Sequence, residues 1–168
     1  GTASQTIKLP GGTPGADKVL TSDATGEAAW AAAAGGLVLK VYETNLNTTV
    51  STTSTTYVAS GLSIAITPAS TSSKFLLTLS GGSSENDTNY QEVLTTFYVD
   101  GSEVSDTGPY SQNMMVYSEG TSHSAACLHL PSTTSSTTYT VYYKATANTA
   151  KFNISPYRVV FTVMELSS

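Results

Sequence analysis

A period of two in the apolar residues constrains this chain more than any other feature. From Leu37 onward, Leu37, Leu39 and Val41 fall on one side of an extended segment and Val38, Lys40 and Tyr42 on the other. The alternation returns in Leu62, Ile64 and Ile66, in Phe75, Leu77 and Leu79, and in Val93, Thr95, Phe97 and Val99. Successive side chains of a strand point to opposite faces, so the pattern predicts half-buried strands and not helices. Further strands are predicted over 114–118, 125–130, 138–147 and 158–166, the last the longest and most apolar, for a total of roughly eight or more. Clusters of Gly, Pro, Asn and Ser separate the runs, and Asp100-Gly101 between two of them has the sequence of a two-residue hairpin turn.

Composition points the same way. Serine and threonine supply 52 of the 168 residues, while charged residues make up 11%. Thr and the 10 Tyr suit a pleated, half-buried surface, and the helix-favouring Glu, Lys, Arg and Gln are scarce. With no amphipathic helix to cover a sheet face, the economical architecture is an all-β antiparallel sandwich or jelly roll. Leu, Ile, Val and Phe together number 34, near the roughly 20% below which a highly charged chain stays disordered. The net charge here is only −5, so disorder does not follow. A thin apolar inventory with clear strand patterning is best accommodated if copies of the chain share part of their core, and an obligate homo-oligomer is expected.

Residues 1–36 read differently from the rest. Gly and Pro punctuate the first half, and Ala28 to Ala34, with Trp30 inside, ends in Gly35-Gly36. We expect an extended tail or neck over 1–36 and a β head over 37–168. The alanine run can start a short helix, but about eight residues are marginal for an isolated one, so it would need partners.

Several functions are disfavoured. The chain is acidic, with no Lys/Arg cluster, so nucleic-acid binding is not expected. The start GTASQTIKLPGG lacks the marks of a signal peptide, and no apolar run approaches the ~20 residues that span a bilayer. The expectation is a soluble chain made in a cytoplasm. Cys127, alone in the run AACLHL, reads as a buried thiol. His123 and His129 have no metal-ligand spacing, so neither a metal nor another cofactor is expected. His129 is opposite in phase to Leu128 and Leu130, which places it toward solvent or a subunit contact. No nucleophile-elbow, Walker or dinucleotide pattern occurs. Glu85, Asp87, Glu92, Glu103, Asp106 and Glu119 are the carboxylates from which glycoside hydrolysis would draw a pair, but all except Glu92 read as loop or turn residues. No catalytic residue is assigned, and the chain is not expected to be an enzyme.

Two stretches carry a family resemblance. LPGGTPGADKVLTSDATGEAAWA, from Leu9 to Ala31, resembles the junction element of tailed-bacteriophage fibre proteins through Lys18, Val19, Leu20, Thr21, Ser22, Asp23, Gly26 and Trp30. GLSIAITPASTSSKFLLTLSGG, then FYVDGSEV and VVFTVMEL, resemble the carboxy-terminal heads of such fibres, which are themselves similar to tumour-necrosis-factor-like trimeric jelly rolls. The resemblance implies a homotrimeric fibre or spike of a phage virion, made in the host cytoplasm. Its amino-terminal segment would attach to capsid, tail or baseplate proteins, and its head would adhere to host-surface glycan. The alternative is a capsid decoration protein at threefold positions; a bacterial adhesin or carbohydrate-binding module is a third reading.

Val19, Leu20 and Trp30 lie in a segment too short to bury them, and three copies meeting at an axis would do so; Leu37 and Leu39 complete this predicted packing set. Recognition is expected in two long loops, 81–92 and 105–123. There Tyr90, Tyr110 and Tyr117 can stack on sugar rings, while Asn86, Asn89, Gln112 and Asn113 hydrogen-bond hydroxyls. Met114, Met115 and Tyr117 also read as an interface strand in which Met fills gaps.

Overall fold

The computed structural model describes residues 11, 18–22, 25–32, 37–87, 91–104, 114–116 and 120–167, with only the backbone of 32 and 114–116. Among these residues there are strands and no helix. The chain divides into two units, Gly1–Gly36 and Leu37–Ser168.

In the first unit β1 (Lys18–Ser22) and β2 (Ala28–Ala32) form an antiparallel hairpin. The possible short helix at Ala28 is therefore corrected to a strand. Pairing with β1 sets Leu20 directly opposite Trp30, and this cross-strand ladder overrides the helix propensity of alanine.

The second unit holds β3 (Val38–Leu46), β4 (Val50–Thr52), β5 (Val58–Ile66), β6 (Lys74–Asn86), β7 (Val93–Val99), β8 (Ser102–Glu103), β9 (Met114–Val116), β10 (Thr121–His129), β11 (Thr137–Ala145), β12 (Ala150–Phe152) and β13 (Val159–Leu166). All pairings are antiparallel. One sheet runs β3–β13–β6–β12–β4, with β10 also on β6, and the other runs β5–β11–β7–β8, with β9 also on β7. Phe75 to Gly81 of β6 pair with both β13 and β10, so these two flank it on opposite edges.

The alternation read from sequence decides what faces in. Phe75, Leu77 and Leu79 of β6 and Phe161 and Val163 of β13 point into the same core as Leu62, Ile66, Phe97, Tyr139 and Val141 from the other sheet. The sheets meet through Phe97 and Phe161, whose ring centroids are 5.6 Å apart, and through Phe75 and Tyr139 at 5.5 Å. The Asp100-Gly101 turn between β7 and β8 has φ of +47° and +83°, the double positive φ that a two-residue hairpin requires. Asp100 also accepts a hydrogen bond from the Thr138 amide through Oδ1.

Two expectations fail along β6. The longest strand is β6, with 13 residues, and not β13, with 8. The expected loop from Gly81 is instead strand as far as Asn86. Gly81 and Gly82 carry φ of +76° and +65°, so the Gly-Gly-Ser-Ser cluster is a kink inside a continuous strand. Beyond it, Glu85 and Asn86 pair with β12.

Candidate functional site

Apolar residues left open are concentrated at the start of β3. Leu37, Val38, Leu39 and Val41 are 69, 47, 41 and 58% exposed, so both faces of this half-strand meet solvent in the single chain. β3 ends the order of its sheet, and an edge strand with apolar faces is a site where another chain adds or packs. In the separate amino-terminal unit Val19 and Leu20 are also exposed. Trp30 is half-buried, and its Nε1 has no hydrogen-bond partner. A two-stranded hairpin of this size is marginal in water without further packing.

The polar interior at the kink of β6 has the ingredients of a nucleophile site but not its access. Ser84 Oγ lies 2.6 Å from His123 Nε2 and accepts a bond from the Asn153 amide. Ser84 is fully buried and His123 is 2% exposed, with its ring against Phe152 at 4.7 Å. His123 Nδ1 has no partner, so no carboxylate orients the imidazole as a hydrolytic triad requires. Burial lowers the His123 pKa to about 4, because the apolar surround disfavours the imidazolium. Beside it, Asn153 Nδ2 donates to the carbonyls of Leu46, Thr48 and Tyr157. The group ties together β6, β10, the end of β12 and the turn before β13.

The sense of His129 is corrected. The alternation with Leu128 and Leu130 holds, but His129 is the inward member, 7% exposed, while Leu130 is 45% exposed. Its Nδ1 lies 2.9 Å from the Tyr139 hydroxyl, a buried partner on β11 of the other sheet that the local run does not reveal. Cys127 is buried and forms no disulfide. Glu165, not singled out by sequence, is a fully buried carboxylate. Its Oε1 accepts from the Ala69 amide at 2.6 Å and from Ser73 Oγ at 2.8 Å, which pins the β5–β6 connection.

Among the glycan-contact residues, Asn86 is corrected: it ends β6 at 3% exposure and donates through Nδ2 to the Ala147 carbonyl. Asn89, Tyr90, Tyr110, Gln112, Asn113 and Tyr117 lie outside the described residues, as do Asp106 and Glu119. Glu85 and Asp87 both bind Lys151 Nζ, at 2.8 and 2.6 Å. The Lys151 hydrogen bond holds the Asp87 carboxyl below its ordinary pKa, and the same contacts raise that of Lys151. Asp87 and Lys151 are each held in the charged form by this contact, and with Glu85 they make an ion cluster.

A feature that sequence reasoning missed lies on the outward face of the second sheet. Tyr98 and Tyr142 stack with centroids 3.9 Å apart at 20°, and Tyr57 meets Tyr98 at 6.1 Å and 60°. Lys144 Nζ sits 4.4 Å from the Tyr57 ring centroid, and Glu103 Oε1 accepts a bond from Thr96 Oγ1 at 2.9 Å. Burial, then the Glu103 charge, pushes the Tyr57 hydroxyl up to about 12. Tyrosines alternate onto both faces of β11, which is why periodicity alone does not separate this surface set from the core. Among the described residues no three His, Cys, Asp or Glu side chains gather in a way that could hold a metal ion. No family model matches the chain, and no curated protein matches it.

Proposed function

We propose that this chain is a structural protein of a bacteriophage particle, a homotrimeric fibre or spike attached by residues 1–36 and displaying residues 37–168 as a β head toward the host surface. The observation that carries the assembly part is the open apolar half-strand Leu37–Val41 together with the exposed Val19 and Leu20 of the small hairpin. A fully buried side chain of this size contributes about 1.5–3 kcal/mol, and three copies around an axis offer that burial. The virion assignment draws on the junction resemblance from Leu9 to Ala31.

The head is read as a jelly roll. Along the chain β3, β6, β10 and β13 fall in one sheet and β5, β7, β8 and β11 in the other. The order β3–β13–β6–β10 in one sheet and β5–β11–β7–β8 in the other supports this reading, since a jelly roll is an eight-stranded double sheet built from two Greek keys. The role is adhesive and architectural, with no reaction assigned.

Gold-labelled antibody to the head, applied to intact particles that carry this chain, tests the reading in the electron microscope. Label on projecting fibres or spikes at low copy number is expected. Label covering the capsid at threefold positions would make it a decoration protein, and particles without label would remove the virion role.

A further inference from the structure

We propose that the outward face of the second sheet, around Tyr57, Tyr98 and Tyr142, binds neutral pyranose glycans by ring stacking, with Glu103 and Lys144 engaging the sugar hydroxyls. This deepens the host-adhesion reading and rests on it for the source of the glycan.

Outward aromatic pairs across strands stabilise sheets, and that accounts for Tyr98 against Tyr142. It does not account for what surrounds them. Tyr142 is directly opposite Ala59, and Thr140 is opposite Ser63. Ala59, Gly61, Ser63 and Ala65 of the edge strand β5 are all exposed, and open space lies where a Gly61 side chain would be. Half-buried tyrosines therefore stand beside a low floor of small residues, a step against which a flat sugar ring can lie.

The polar groups at this step are held in place. Thr96 is buried on this face at 2% exposure and fixes the Glu103 carboxylate, while the Tyr57 ring holds the Lys144 ammonium. Neither charged group forms an ion pair among the described residues, so a carboxylate acceptor and an ammonium donor both remain to meet hydroxyls. Their charges cancel, and the chain carries −5 overall, which favours neutral glycans over phosphorylated or sulfated ones. Weak single contacts become useful when several copies engage at once.

The test is an array of neutral hexose and N-acetylhexosamine oligosaccharides, with sulfated and phosphorylated ones alongside, probed with the full chain and followed by titration of the best neutral binder. Binding to neutral glycans is expected. Tyr142→Ala should weaken it roughly three- to tenfold, the scale of one aromatic contact. Ala59→Gln, an exposed substitution that fills the step without disturbing the core, should weaken it similarly and decides the matter if Tyr142→Ala does not fold. Folded variants that bind like the parent would overturn this site and leave adhesion to other parts of the head. Binding to no glycan, or to anionic ones alone, would overturn the proposal, whereas the virion reading is decided separately by the particle labelling.

Discussion

His123 is enclosed with one ring nitrogen unpartnered and a pKa lowered to about 4. Above pH ~6.5, the ordinary histidine pKa, the ring is neutral in both folded and unfolded chains and stability is unaffected. Between there and about pH 4 the unfolded chain takes up a proton that the folded chain refuses. Stability then falls by about 1.4 kcal/mol per pH unit, for a loss on the order of 3 kcal/mol per chain. Denaturant midpoints measured from pH 7 to pH 4 should show this slope, and His123→Gln should remove it; an equal slope in the variant would assign the acid sensitivity to other groups. Asn153, with φ of +56° and three carbonyls on its amide, should cost about 2–3 kcal/mol as Asn153→Ala, read by thermal or urea unfolding. At this scale the sequence is only partly legible. The phase of His129 follows from alternation, but its inward sense is decided by Tyr139, ten positions away on another strand. Glu165 likewise shows its role only when Ala69 and Ser73 are brought to it by the fold.

The 13-residue strand β6 shows how an element is both legible and concealed. Its first half declares itself through Phe75, Leu77 and Leu79, whereas Gly81-Gly82 carries the composition of a loop. A Cβ on Gly82 would come within 2.8 Å of Asn153 Oδ1 and of Val159 Cβ, so the glycine is required by a close approach inside a strand. Gly82→Ala should destabilise the head by about 1–3 kcal/mol through strain at positive φ and crowding, and an unchanged melting temperature would contradict that packing. The Asp100-Gly101 hairpin, by contrast, is fully written in its two residues, because the turn needs positive φ at both. The β1–β2 hairpin was obscured by alanine, whose intrinsic preference is helical and whose pairing with β1 is not visible locally. For the edge strand β3, Val41→Lys should change single-chain stability by no more than ~0.5 kcal/mol, since the site is 58% exposed. The same substitution should shift the assembly toward monomers in sedimentation, as should Trp30→Ala in the hairpin. Unaltered sedimentation for both would mean that these apolar surfaces do not form the contact between copies.

For the whole molecule, the period of two foretold an all-β chain with antiparallel sheets, and it did so because both sheets hide one face and show the other. Burial on two sides of one core is what alternation encodes. How many chains close around an axis is not encoded in that way, since an exposed Leu37 or Val41 looks the same in a sequence as a buried one. The exposed half-strand and the small hairpin leave apolar area in water in a lone chain, which is the ground for proposing contact between copies, while the number three rests on the fibre resemblance. Native mass spectrometry of the full chain at micromolar concentration, with hydrogen exchange on the same sample, measures this directly. A species of three times 17.4 kDa, with amides of residues 18–22 and 37–41 protected, is expected. A folded species of 17.4 kDa in which those amides exchange freely would contradict it.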